Sequence, residues 1–128
     1  MPDLLILVHE RLGVTALYYF LFVSAWGYYR FFTRQGINSA YWGMLAIAEG
    51  LILVEVFLGI YMWLAGFPQP ARGILHVIYG AIIPIMIPGA YFYTRGRGER
   101  AEILVYSTAA IITCGLILRA IYTAQVPL

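Results

Sequence analysis

The sequence predicts an all-α protein, an integral membrane four-helix antiparallel bundle, and three observations lead to this prediction. The chain is 62% hydrophobic and 11% charged, and its mean hydropathy of +0.82 lies far above the range of soluble domains. Its apolar residues form long runs almost free of charge, each close to the roughly 20 residues that cross a bilayer. The breaks between these runs are short, which favours helices connected up and down in sequence order.

Four membrane-spanning helices account for nearly the whole chain. We predict them at about residues 4–31, 40–65, 70–94 and 100–124, within a single membrane domain over residues 1–128. The N-terminal region has neither the basic start nor the small-residue cleavage site of a signal peptide, so we expect the first helix to stay attached. Residues typical of helix starts precede or open three of the runs: Asp3, Asn38 with Ser39, and Pro70. Pro84 and Pro88 predict a bend in the third helix.

The arginines predict the orientation of the bundle. Five lie at the end that carries the first and third loops: Arg30, Arg34, Arg95, Arg97 and Arg100. Three lie at the other end: Arg11, Arg72 and Arg119. The positive-inside rule then predicts a multi-pass protein of the cell membrane with both termini extracytoplasmic. The net charge of +2 is too small and too scattered to indicate a nucleic-acid partner.

The two histidines of the chain, His9 and His76, fall in the first and third predicted helices. Each is followed four residues later by a glycine, Gly13 and Gly80. The first and third helices of an antiparallel bundle run in the same direction, so we expect both imidazoles at one depth near one membrane face. Such a pair can bind one haem iron from both sides.

Neutral imidazole is a standard axial ligand of haem iron, and a low-spin site needs two of them. Helical side chains lean toward the helix N terminus, so the flat macrocycle needs empty space one turn further along each helix. Gly13 and Gly80 supply that space, and Gly59 in the second helix lies at a comparable depth. We therefore predict one haem b with His9 and His76 as iron ligands, held without a covalent bond because no Cys-x-x-Cys-His motif is present.

Arginines near the same face predict the site of the haem propionates. Carboxylates in a poor dielectric need cations, and Arg11, Arg72 and Arg119 are at hand. For Arg119 two other roles stay open, namely extension of its side chain to the interface or a pair with Glu55.

Glu49 lies in the inner half of the second predicted helix without a matching arginine. We expect its carboxyl to be neutral and hydrogen-bonded, with Tyr106, Ser107 and Thr108 as candidate neighbours. A place on a proton or quinone path is the alternative.

At these residues the chain resembles one four-helix half of the haem A synthase family. That family carries a His-Arg element, a Gln/Glu-x-x-Leu-Gly element and a Leu-His element on successive helices. The matching residues here are His9-Glu10-Arg11 with Leu12-Gly13, then Glu55-Val-Phe-Leu58-Gly59, then Leu75-His76. The resemblance covers roughly residues 5–95. It implies that His9 and His76 correspond to the paired haem ligands of the family.

The chain also departs from that family. It has Ile6 where the family has a functional glutamate, and it lacks the second homologous bundle and the cysteine pair of an outer loop. We therefore expect the haem-holding scaffold without the oxidation that forms a formyl group. The Leu-His, Tyr-Gly and Tyr-x-Tyr-Thr-Arg-Gly-Arg elements of the third helix also resemble small four-helix membrane proteins of filamentous thermophilic bacteria, which implies no function.

The leading interpretation is a b-type membrane cytochrome that exchanges single electrons with a membrane quinol or an outer-face redox protein. Two axial ligands leave no open position on the iron, which favours electron transfer over oxygen chemistry. The alternative is a structural or pigment-organising subunit of a respiratory or photosynthetic complex, with each histidine in a structural pair or on its own bacteriochlorophyll. A transporter is disfavoured because no inverted repeat is found.

Overall fold

The computed structural model describes residues 2–125. The regular secondary structure of this part of the chain is all helical, with no strand. The helices are α1 (Pro2–Phe32), α2 (Ser39–Leu64), α3 (Gly73–Ile82), α4 (Met86–Thr94) and α5 (Arg100–Gln125), with a 3-10 turn at Ile83–Ile85 between α3 and α4. α3, the turn and α4 form one span, Gly73–Thr94, so four segments are long and apolar enough to cross a membrane. The prediction of four apolar spans is confirmed.

The third span begins later than the sequence predicted. We expected Pro70 in its first turn, but the helix starts at Gly73, and Pro70 belongs to the loop that precedes it. A proline disfavours helical backbone in the residue before it, so Pro68 and Pro70 together delay the start of the helix. Further along, Pro84 lies inside the 3-10 turn that interrupts the span, as the sequence predicted.

Side-chain and backbone hydrogen bonds fix the ends of the helices. The Asn38 side chain accepts a hydrogen bond from the Tyr41 backbone N–H at 2.9 Å, which confirms the predicted cap of α2. Asp3 lies within the first turn of α1, where a carboxylate complements the helix dipole, instead of preceding the helix. The Ile37 backbone N–H donates to Gly98 at 2.8 Å, which places the first and third loops at the same end of the bundle.

The helices pack as the corners of an antiparallel bundle. α1 packs against α2 and α5, and α5 also packs against α3 and α4. α2 approaches the third span closely at the 3-10 turn but not along α3. α1 and the third span therefore lie at opposite corners, and a gap separates α2 from α3.

The core of the bundle lies mainly in the half that carries the first and third loops, and α5 continues it into the other half. Its largest buried side chains, Phe20, Tyr41, Ile103 and Tyr106, all lie there. Among the described side chains, α1 has no buried residue before Gly13, α2 has none after Ile52, and α3 has none at all. The other half of the bundle is therefore hollow, and both histidines lie in it.

Candidate cofactor site

The two imidazoles meet across the hollow half of the bundle. The rings of His9 on α1 and His76 on α3 have centroids 6.2 Å apart and planes inclined at 73°. This juxtaposition is the one that parallel odd-numbered spans predict. His76 lies closer to its helix start than expected, because α3 begins at Gly73 and the His76 backbone N–H bonds to Arg72 in the first turn.

A backbone carbonyl fixes the tautomer of His76. Its Nδ1 lies 2.8 Å from the carbonyl oxygen of Ala120 on α5. A carbonyl oxygen can only accept, so Nδ1 carries the proton, and in the neutral ring Nε2 keeps its lone pair. Metal-binding histidines have this arrangement, with one ring nitrogen held by an oxygen and the other available to the metal.

A carboxylate has the same role at His9. Glu55 Oε1 on α2 lies 3.0 Å from His9 Nδ1, and both atoms are buried. The contact lacks the alignment of a hydrogen bond, yet the negative charge still favours a proton on Nδ1 and leaves Nε2 as the acceptor nitrogen. The pair that we considered between Glu55 and Arg119 is wrong, because this carboxylate contacts His9.

Glycines make room for this pair. A Cβ atom on Gly59 would lie 3.3 Å from Cε1 of His9, and one on Gly13 would lie 2.8 Å from Oε2 of Glu55. Gly13 therefore leaves room for the Glu55 carboxylate, whereas we expected it to leave room for the macrocycle. A Cβ on Gly80 would meet no atom within 4 Å, so the space next to His76 is open.

The imidazoles lie in the wall of a cleft of about 660 Å³. Its lining is mainly apolar and comes from α1, α2, α3, α5 and the loop before α3, including Gly13, Gly59 and Gly80. Cofactor and ligand sites usually have volumes of about 300–1,000 Å³. The hollow half of the bundle thus has the size and chemistry of a site for a large apolar cofactor.

The three arginines expected near the propionates are not all at the cleft. Arg11 lines it, whereas Arg72 and Arg119 do not. The guanidinium carbons of these two lie 5.0 Å and 5.1 Å from the centroid of the Tyr122 ring, a cation–π arrangement on α5. Of the three predicted cations, Arg11 is the one in the lining of the cleft.

No family model, curated protein or solved structure matches this chain. The resemblance to haem A synthases therefore rests on the short sequence elements alone. Residues 2–125 contain no cluster of three or more His, Cys, Asp or Glu side chains placed to hold a metal ion. A haem brings its own equatorial nitrogen ligands and needs only an axial pair from the protein.

A second, separate groove of about 360 Å³ lies between α2 and α4. Glu49 lines it together with Trp42, Tyr91 and Tyr106. The expected hydrogen bond of Glu49 is not formed: Oε1 is buried and has no partner within the described chain, and the Tyr106 hydroxyl bonds to Thr94 at 3.0 Å. This groove was not predicted from the sequence, although Trp42 and Glu49 are seven residues apart and share one face of α2.

Proposed function

We propose that the chain is a b-type membrane cytochrome that holds one non-covalent haem b between His9 and His76. Its function would be one-electron exchange with a membrane quinol or an outer-face redox protein. The observation that carries the proposal is the pair of adjacent imidazoles, each with Nδ1 engaged by an oxygen and Nε2 left as an acceptor.

The separation of the rings supports this proposal. Imidazole nitrogens bind metals at about 2 Å, and each ring centroid lies roughly 1 Å behind its nitrogen, so two axial imidazoles have centroids about 6 Å apart. The rings of His9 and His76 are 6.2 Å apart. Their spacing therefore suits one shared iron without movement of the helices that carry them.

The shape of the bundle also supports it. A porphyrin is flat and apolar with a charged edge, so it needs a gap between helices and not a round cavity. α2 and α3 are separated along the hollow half, and the cleft lies between them and α1. Arg11 at the cleft is placed to bind a propionate.

The haem would supply reversible one-electron oxidation and reduction of its iron. His9 and His76 would hold the haem iron, and with both imidazoles bound no position would remain for oxygen or substrate. Glu55 and Ala120 would hold the imidazoles in the ligating tautomer, and the apolar lining would exclude water. These features favour electron transfer over catalysis at the iron.

We also propose that both termini are extracytoplasmic. The first and third loops lie at one end of the bundle, joined by the bond from Ile37 to Gly98, and that end carries five of the eight arginines. His9 and His76 then lie in the outer half of the membrane. A redox partner outside the cell membrane would approach the end of the bundle that holds the histidines.

Absorption spectroscopy of the purified protein tests the proposal. We expect a low-spin spectrum with a reducible alpha band and a pyridine haemochrome of protohaem, in a ratio of about one haem per chain. His9→Ala and His76→Ala should each abolish the low-spin spectrum. His76→Met is the rescue variant, because methionine is also an axial ligand: it should retain haem with an altered spectrum.

Gln35→Ala, in the first loop at the far end of the bundle, is the control and should leave the spectrum unchanged. A low-spin spectrum that survives either alanine substitution contradicts the shared iron. Bacteriochlorophyll absorbance, or no chromophore at all, would favour the structural or pigment-organising subunit instead.

A further inference from the structure

The groove at Glu49 shares no lining residue with the histidine cleft and lies in the packed half of the bundle. Its floor is formed by the buried side chains of Leu45 and Tyr106. Its walls come from α2 and α4, and its outer edge is formed by the exposed rings of Tyr91 and Phe92. The groove therefore opens sideways between two spans, toward the lipid phase.

Glu49 is the polar group that this groove presents at membrane depth. It lies ten residues beyond the start of α2, or about 15 Å along the helix axis. Its Oε1 is buried and has no hydrogen-bond partner within residues 2–125. A buried carboxyl oxygen without a partner is costly, and polar groups at this depth usually serve a function.

Aromatic rings surround the space in front of this carboxyl. The Trp42 ring lies edge-on to Tyr91, at 6.1 Å between centroids, and edge-on to Tyr106, at 5.5 Å. Such rings form a favourable wall for a flat conjugated ligand. The groove thus combines an aromatic wall, a hydrogen-bond acceptor and an entrance from the bilayer.

We propose that this groove binds the ring of a lipid-soluble quinol, with one ring hydroxyl donating to Glu49 and the ring packed against Trp42 and Tyr91. A phospholipid does not suit it, because the acyl chains have no donor and the headgroup stays at the membrane surface. A quinol carries its hydroxyls into the bilayer and reaches the opening laterally.

A role for this quinol as an electron donor rests on the proposed cytochrome function, whereas the binding itself does not. Glu49 and Glu55 are six residues apart on α2, which is about 9 Å along its axis. A quinol in the groove would therefore lie close to the histidine cleft.

Fluorescence titration in lipid nanodiscs tests the binding independently of haem. Trp26→Phe and Trp63→Phe leave Trp42 as the reporter, and His76→Ala supplies a background without the low-spin haem. Decylubiquinol added without oxygen should quench Trp42 in a saturable manner. Glu49→Leu should weaken binding about tenfold, the loss expected for one hydrogen bond.

Two matched variants separate the groove from the rest of α2. Ala46→Leu adds a side chain inside the groove and should block binding. Gly43→Leu adds the same side chain where a Cβ meets no atom within 4 Å and should not affect it. The dimethyl ether of decylubiquinol has no hydroxyl to donate and should bind as weakly as the quinol binds to Glu49→Leu.

Several results would overturn the proposal. One is linear quenching, which indicates partition into lipid, with the same slope in Glu49→Leu. Equal affinity for the quinol and its dimethyl ether would exclude the hydrogen bond to Glu49. Saturable binding by a protein that never contains haem would instead support the quinol site and contradict the cytochrome function. The two proposals can therefore be tested separately.

Discussion

The two imidazoles differ in the oxygen that each Nδ1 faces. At His76 it is a neutral backbone carbonyl, and at His9 it is the carboxylate of Glu55. A carbonyl of α5 moves only with its helix, whereas the Glu55 side chain can be changed without altering the backbone. The contribution of this oxygen to the proposed haem site can therefore be measured at His9.

Glu55→Gln should weaken haem binding about tenfold or more, the usual effect of removing an outer partner of a metal ligand. The amide has the size of the carboxyl but not its charge, so it holds the His9 tautomer less firmly. At full occupancy the spectrum should remain low-spin, because both histidines are present. Titration of haem into the haem-free protein measures the affinity.

Glu99→Gln is the control for this change, since Glu99 is exposed next to the start of α5 at the far end of the bundle. It should leave the affinity unchanged. Equal affinities of wild type and Glu55→Gln would show that the contact with His9 does not support the site.

Gly59→Leu should displace the His9 ring and remove the low-spin spectrum. Even a Cβ atom would lie 3.3 Å from His9 Cε1, and the rest of a leucine side chain needs the space that the ring occupies. Gly50→Leu makes the same change on α2 where a Cβ meets no atom within 4 Å. Both changes raise helix propensity equally, so a spectrum lost in both variants would exclude the steric explanation.

At the scale of the elements, the sequence predicted the spans to within a few residues. Long apolar runs bounded by charged or glycine-rich breaks leave little freedom in where a membrane helix lies. The start of α3 was misplaced because Pro70 suits a first helical turn, whereas Pro68 and Pro70 together disfavour a helix and lie in the loop before it. Whether a proline starts a helix or belongs to the loop before it depends on the neighbouring residues.

The site was predictable only in part. Helix direction alone brings His9 and His76 to one depth, and the structure places them side by side. The partners of their Nδ1 atoms depend on the rotation of α2 and α5 about their axes, which no spacing along the chain specifies. For the same reason the contact of Glu55 with His9 and the groove at Glu49 could not be predicted from the sequence.

Gly27→Ala should destabilise the protein by about 1–3 kcal/mol, the usual cost of an extra methyl group in a packed core. Gly27 on α1 lies against α2 and α5, and a Cβ there would collide with Ser107 Oγ and the Tyr41 hydroxyl. Those two side chains are themselves fixed, because the Tyr41 hydroxyl donates to the Val23 carbonyl at 3.1 Å and the Ser107 hydroxyl donates to the Ile103 carbonyl at 2.8 Å. Neither neighbour can yield without breaking a buried hydrogen bond.

The midpoint of thermal unfolding in detergent measures this effect. Gly43→Ala is the matched control on α2, where the added Cβ meets no atom within 4 Å, and it should be neutral or slightly stabilising. A midpoint of Gly27→Ala at or above that of wild type would show that α1, α2 and α5 can move apart at this point without loss of stability.

At the scale of the whole molecule, the two halves of the bundle have different tasks. The half with the first and third loops holds most of the core and the arginine-rich end, and the hollow half holds the histidines. A packed half keeps the helices at fixed angles, so the cleft can stay open without closure of the spans on one another. The orientation of this asymmetric bundle decides which side of the membrane the histidines face.

A C-terminal alkaline phosphatase fusion should be active, and a C-terminal green fluorescent protein fusion dark, because five arginines at the loop end outnumber three at the other. Exchanging Arg34 and Arg95 for Asn and Arg97 for Gln leaves two against three and should give a mixed or inverted topology. Asparagine suits the first two positions, whose φ angles are 61° and 53°. Arg30 and Arg100 are kept because Arg30 donates to the carbonyl of Gly36 in the first loop and Arg100 donates to the carbonyl of Phe31 on α1.

Arg119→Gln is the control for the triple variant, since it removes a charge from the opposite end and should keep phosphatase activity high. Its position also separates orientation from folding, because Arg119 is exposed and contacts the ring of Tyr122 at its own end of α5. Unchanged phosphatase activity in the triple variant would show that charge at the loops does not set the topology. An active fluorescent fusion of the wild type would place the histidines on the cytoplasmic side and exclude an outer redox partner.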